Sequence, residues 1–428
     1  MIRSILSFSI IFLVALIHVG FTQDEVPEKV SLASLVDRAL NRSESVKAAQ
    51  LQIEEKQFSA QQSRSWQNPE VSLSGGHKQA SPQDHSEPAQ SGLLYEASIS
   101  QPFFFPGKQK LRGDIGKLEA EAAKVKYSET EIMLVYDVIK LSYDYEINRR
   151  RKALAESRLH RFEVIQSYLS GHVFASPQQK AERLIVERRF NNLTADTLKS
   201  HAALKTAYEK LNLLVGWERV ITPEIAVPWL QGKAGLDPSE SLKSATTRNF
   251  NLASQRLLVR SAQKENRLAK WENFPDFVLF GSYAQEKAGD TERFLKGGIS
   301  FSIPLLNQHR GDIRSTARKI EAENALLRFN EQQIQSQLAQ LHTEYEIARE
   351  IVQRYPEASL GTLEKHLREI EQEFRKGRVS LITFIELDSE ISQTYERTLE
   401  AQVSLLDKLM AISFLAGNRD FISRLSEF

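Results

Sequence analysis

A mainly α-helical, internally duplicated chain with a small membrane-type β part is the fold class this 428-residue sequence predicts. Three observations predict it. Apolar residues hold a helical seam through Ala317, Ile320, Leu327, Ile334, Leu338, Leu341, Tyr345, Ala348 and Val352. These steps of four and three give a 3.5-residue period over about five heptads, the spacing of packed coiled helices. Shorter segments instead alternate with period two: Leu93, Tyr95, Ala97 and Ile99 oppose Glu96, Ser98 and Ser100, while Leu295, Ile299, Phe301 and Ile303 oppose Lys296, Ser300 and Ser302. Period two with one polar face marks a strand between an apolar and a wet surface. Finally, the chain says everything twice at an offset near 200. Trp66 falls on Trp271, Pro69 on Pro275, Gly113-Asp114-Ile115 on Gly311-Asp312-Ile313, and Tyr145-Glu146-Ile147 on Tyr345-Glu346-Ile347.

The elements follow in order. Arg3, an apolar run from Ile5 to Val19, and small residues before Gln23 describe a signal peptide over 1–22, cut after Thr22. The first repeat spans 23–216: an amphipathic helix (Leu32 to Ser65), strands at about 70–78 and 93–101, a long helix at 108–169 and a returning helix at 177–214. An inter-repeat segment at 217–238 has the proline and glycine content of a loop packed outside the helices. The second repeat spans 239–417: a helix from Ser239 to Glu272, strands at about 276–285 and 294–303 joined by "EKAGDTER", a long helix at 308–375 and a returning helix at 381–415. A tail covers 418–428. Some 60 residues of helix extend roughly 90 Å. Asn324 and Glu331 interrupt the long seam, and Pro356 must kink or break its helix. Pro102, Pro106, Gly107 and Pro304 mark the strand-to-helix junctions, because proline lacks an N–H but suits a helix start.

Composition excludes several function classes. With no cysteine there is no disulfide, thiol chemistry or N-terminal lipid attachment. Lys plus Arg number 56 against 55 acidic residues, so no basic excess argues for nucleic acid. "PGKQ" at Pro106–Gln109 lacks the Gly and Ser/Thr of a phosphate loop. His77, His85, His160, His201 and His342 show no metal-ligand spacing, and Met133 and Met410 make no copper cluster. The expectation is no enzyme, no cofactor and no resident metal.

Four strands leave two open edges, and open edges do not survive in lipid. Known membrane barrels need at least 8 strands, so copies of this chain must pool theirs. At this point the sequence resembles the TolC family of outer-membrane efflux proteins. The resemblance rests on the duplicated order, the turns at Tyr168–Gly171 and Phe374–Gly377, and the Gly377–Ser380 start of the returning helix. "QPFFFPGKQKLR" is similar to the junction of the heavy-metal subgroup typified by CzcC. The resemblance implies a homotrimer with a 12-stranded β-barrel in the outer membrane of a Gram-negative-type cell, continued into a periplasmic α-helical tunnel. It implies a passive exit duct working with a periplasmic adaptor (membrane fusion) protein and an inner-membrane RND pump, for heavy-metal cations, drugs or, as in type I secretion, proteins. The tip residues Gly171, Gly377, Val379 and Ser380 are then candidates for docking the adaptor. Arg375, Arg378 and Glu373 beside the turn, with Thr383 and Glu386 on the returning helix, are candidates for the pore gate. Family correspondence puts a pore-lining acid at Glu386, while the family's second acid falls on Thr383, leaving a single ring. A secreted structural coiled-coil protein without a pore is the rival of another class; it has no need of the alternating strands.

Overall fold

The protein is described by a computed structural model covering residues 29–80, 89–170, 176–217, 223–418 and 425. The signal-peptide expectation for 1–22, His85, and the first turn at Gly171 lie outside the described residues. The first repeat holds β1 (Lys29–Ser31), α1 (Leu32–Arg42), α2 (Glu44–Gln62), β2 (Glu70–Ala80), β3 (Gln90–Phe103), α3 (Lys108–Ser170) and α4 (Pro177–Val215). After β4 (Glu224–Ala226), the second holds α5 (Pro238–Arg248), α6 (Phe250–Trp271), β5 (Phe277–Ala288), β6 (Asp290–Phe301), α7 (Arg310–Arg354), α8 (Glu357–Arg375) and α9 (Leu381–Leu415).

Each repeat opens with two helices where the period suggested one. The breaks fall at equivalent residues, Ser43 and Asn249, and each caps the helix it starts. Ser43 Oγ accepts the N–H of Val46, and Asn249 Oδ1 accepts that of Leu252. Such side chains satisfy N–H groups that a helix start leaves orphaned, which makes a break there favourable. Ser31 and Asp237 cap α1 and α5 in the same way. The second long helix divides at Pro356, as a residue without an N–H dictates. The polar interruptions of its seam are accommodated: Asn324 donates to the Ile320 carbonyl at 2.8 Å, and Glu331 pairs with Arg256 of α6 at 3.3 Å.

The described part of the inter-repeat segment, 223–238, is more ordered than a loop. Its β4 pairs in parallel with β1, and helix side chains strap the remainder down. Tyr145, on α3, donates its hydroxyl to the Pro223 carbonyl at 3.0 Å; its repeat equivalent Tyr345, on α7, donates to Ala234 at 2.7 Å. Gln402 of α9 holds both the N–H and the carbonyl of Leu230, at 2.9 and 2.8 Å. Both tyrosines are fully buried in the main core, which lies at this level around α3, α7 and α9. Their hydroxyls need the partners they find, because an unpaired buried polar group is costly.

The sheet runs in the order β2-β3-β5-β6, antiparallel throughout. Its strands are longer than the alternation indicated. "EKAGDTER" is mostly strand, and the second hairpin turns at Gly289. Pro102 does not end its strand. It lies inside β3, where β2 has not yet begun and β5 is the only neighbour, and a missing N–H is tolerated at such an edge. β6 ends at Phe301, ahead of Pro304.

Candidate functional site: a lipid-type sheet face, a strand-to-helix clasp and a helical tip

The sheet's apolar face is exposed. Val71, Leu73, Leu93, Tyr95, Ile99, Leu279, Tyr283, Leu295, Ile299 and Phe301 are all exposed large residues. Opposite them, register places Ser72, Ser98, Ser282 and Lys296 side by side across the four strands. The same polar face carries Lys78 reaching across to Glu286 at 2.5 Å. Ten residues of strand at about 3.4 Å each, tilted about 40°, give a band roughly 25 Å tall, the height of the lipid-facing band of a membrane barrel. At its helical end Phe103 stacks on Phe277 at 5.3 Å and Trp66 meets Phe103 edge-on at 5.6 Å. Aromatic rings of this kind suit the membrane–water boundary. An arginine at Ile299, whose side chain is on the exposed apolar face, is expected to cost about 2–4 kcal/mol per copy near mid-bilayer. Ser300→Arg, one residue on and on the polar face, is expected to be tolerated. Heat-stability of the detergent-solubilised variants compares the two, and equal loss in both would reverse the assignment of faces.

The strand-to-helix junction is a buried ionic clasp. Lys108, the first residue of α3, is 1% exposed. Its Nζ reaches Glu272 at 3.1 Å, Asp276 at 3.0 Å and the Phe274 carbonyl at 2.8 Å. An ammonium has three donors, and all three are used. Asp276 also accepts the Phe105 N–H at 2.6 Å, and Phe105 stacks on Phe274 at 4.7 Å. Gly107 has φ 99°, and a Cβ there would lie 1.9 Å from the Trp271 ring, so only glycine fits. Pro106 sits exposed just before it. The matching junction of the second repeat, with Pro304 half-buried, has no such cover: Ile303, Leu305 and Leu306 are exposed.

At the far end of the helices, α8 and α9 meet in a tight turn. Gly377 takes φ 70°, the Gly377 N–H bonds the Phe374 carbonyl and the Arg378 N–H bonds that of Glu373. Nothing crowds Gly377, so the backbone angle alone calls for glycine. Ser380 caps α9 by accepting the Thr383 N–H at 3.2 Å, and its hydroxyl lies 2.8 Å from that of Thr383. Val379 packs on the tip core of Phe162, Ile165, Val186, Leu193, Leu381 and Phe384. Glu373 accepts from Lys376 at 2.7 Å and Arg378 at 3.1 Å, and these hydrogen bonds hold its carboxyl below the usual range. Arg375 pairs with Glu371 at 2.5 Å. The charged turn residues are therefore paired locally. Glu386 is exposed and makes no ion pair or hydrogen bond with a described residue.

Asp388, two residues further on, was missed by sequence reading. It is fully buried, and takes Arg158 at 2.8 and 3.1 Å on one oxygen and Arg161 at 3.1 Å on the other. Arg189 of α4 stands beside this cluster with its Nε unpaired, and burial, then the Arg158 charge, lowers its pKa. The signal was present: Leu381, Phe384, Asp388, Ser392, Tyr395 and Leu399 form the buried stripe of α9, and an acid on such a stripe needs cationic partners. Among the described residues no group of three potential metal ligands occurs, and no helix is long and apolar enough to cross a membrane.

A lipid-faced sheet drawn out into helices of about 90 Å is the build of an outer-membrane channel. Residues 35–168, from α1 to the end of α3, match the family described as "Outer membrane efflux protein", which bears out the resemblance to TolC-family channels. No curated protein matches the chain in sequence. Solved structures match it over nearly its whole length. CusC, described in terms of transmembrane channel formation, superposes with a TM-score of 0.70 at 13% identity, over 90% of this chain and 92% of its own. The outer membrane protein VceC of Vibrio cholerae gives 0.68 at 13%, over 90% and 96%. The open state of the Neisseria gonorrhoeae outer membrane channel MtrE gives 0.70 at 14%, over 90% and 88%. At these identities the likeness is one of fold, and it extends over both repeats.

Proposed function

We propose that three copies close a 12-stranded barrel in the outer membrane and act as the passive exit duct of a tripartite efflux system, passing heavy-metal cations outward. The observation that carries the reading is a sheet with one exposed apolar face and one mostly polar face, whose two edges, β2 and β6, are both left unpaired. Such edges are untenable in lipid, and copies related by a rotation close them. Three copies of four strands fall within the sizes that membrane barrels take. The tip at Gly377, Val379 and Ser380 is the surface offered to an adaptor, behind which an inner-membrane RND pump would stand; Gly171, the other candidate, lies outside the described residues. Locally paired Glu373, Arg375 and Arg378 shape that turn. Glu386, an exposed and unpaired carboxylate one turn beyond Thr383, supports the choice of cations, since three copies around an axis form a ring that attracts them.

Native mass spectrometry in detergent and planar-bilayer recording test the proposal. The expected results are a trimer and stepwise conductance; a stable monomer without conductance would leave a secreted coiled-coil protein instead. Glu386→Gln is expected to retain conductance and lose cation selectivity and block by multivalent cations. Unchanged selectivity would take the carboxylate off the pore wall and turn the cargo toward drugs or proteins.

A further inference from the structure

Inside the chain the two repeats are joined along one seam. There β3 pairs with β5 from Leu94↔Glu286 to Phe103↔Phe277, and the Lys108 clasp closes its end. The two half-sites that remain are the counterparts of that seam. On one side stand β6 and the junction Ile303–Arg310; on the other, β2 preceded by Trp66 and Glu70. The repeat fixes the correspondence: Trp66, Glu70 and Val71 stand for Trp271, Asp276 and Phe277, while Ile99 and Pro102 answer to Phe301 and Pro304. The hairpins agree, since Val71 lies opposite Ile99 just as Phe277 lies opposite Phe301.

Both bare halves are apolar where the seam is apolar and charged where it is charged. Leu306 is wholly exposed and Leu305, Val71 and Leu73 mostly so. Arg310 and Glu70 are exposed, and Glu70 has no partner among the described residues. Differences from the seam also come in matched pairs. The stacked Phe103 and Phe277 become aliphatic Leu305 and Val71. The stacked Phe105 and Phe274 disappear together, since Asn307 replaces the first and the first repeat is one residue shorter at the second. Paired change on two surfaces that do not touch within one chain is what surfaces meeting between chains require.

We propose that β6 of one copy pairs with β2 of the next in the register β3 keeps with β5, setting Ser300 opposite Gly76, Phe301 opposite Gly75 and Ile303 opposite Leu73. This rests on the trimeric reading and adds its contact residues. The junction of the second repeat is then incomplete in a single copy: the start of the neighbour's β2 covers the bare Leu305 and Leu306.

The chain has no cysteine, so introduced thiols are the only ones present. The pair Ser300→Cys with Gly76→Cys corresponds to Ser98 and Ser282, which face each other inside the chain. A Cβ at Gly76 meets its nearest neighbour, Leu94, at 3.8 Å, so the substitution fits. Directly opposite residues lie about 4.5–5.5 Å apart, within disulfide reach, and diagonal ones about 7–8 Å apart, beyond it. Oxidation is therefore expected to give a covalent trimer with Gly76→Cys and loss of cross-linking when Ser74→Cys or Lys78→Cys replaces it. Strongest cross-linking through Ser74 or Lys78, or none through Gly76 in a protein that native mass spectrometry finds trimeric, would overturn the register and leave the trimer standing. A monomer by the same measurement would overturn both.

Discussion

Lys108→Met is expected to destabilise the assembled protein by about 3 kcal/mol per copy, the lower part of the range for removing one partner of a buried ion pair. The substitution keeps the stem's volume and removes only the ammonium. Glu272 would keep Arg112, 3.0 Å away, and Asp276 would keep the Phe105 N–H, so neither carboxylate is wholly stranded. Both are partly exposed, which holds the cost toward the lower figure. Because the clasp ties the start of α3 to the entry of β5, the loss should appear first where sheet meets helices. Thermal melting in detergent, with hydrogen exchange on 104–112 and 270–277, reads both effects. Lys110→Met, two residues on and exposed, is the control. Equal melting of the two variants would show that the clasp is dispensable.

Asp388→Ala is expected to cost about 3–5 kcal/mol, because it leaves buried guanidinium groups without a counter-charge. The cluster holds Arg158 and Arg161 on a single carboxylate with Arg189 beside them, and Asp196, the other acid acting on Arg189, makes no ion pair with Arg158 or Arg161 among the described residues. Ejecting the arginines to water would open the contact between α3 and α9 just above the tip core. The expected signature is faster proteolysis and hydrogen exchange over 381–395, with the sheet unaffected. Glu386→Gln, on the exposed side of the same turn, should leave exchange unchanged while altering selectivity. If both substitutions disturb exchange alike, Asp388 is not the residue that ties the two helices.

The faces of the strands and the course of the helices were legible because they are written in local periods. Ile299 and Ser300 point opposite ways in any strand, and the seam from Ile334 to Val352 is buried as its 3.5-residue spacing requires. Pro356 announced the division of the last long helix by its missing N–H. The breaks at Ser43 and Asn249 were less legible, since capping competes with helix continuation and the seam runs on past both. In the sequence Lys108 is one of three basic residues, with Lys110 and Arg112, just after Gly107. Its carbonyl partner lies 166 residues away, and no local pattern brings Phe274 or Asp276 to it.

The sequence by itself determined the doubled order of elements, the apolar and polar faces, and the glycine at which α8 turns into α9. Each depends only on neighbours a few residues away: two for a strand, three or four for a helix, one backbone angle for a turn. Only the tertiary structure decided that β3 joins β5, that Lys108 and Asp388 are buried among opposite charges, and that one junction is covered while its twin is bare. Those outcomes follow from which distant segments meet. Burial and pairing are properties of the place where they meet, and no single segment contains that place.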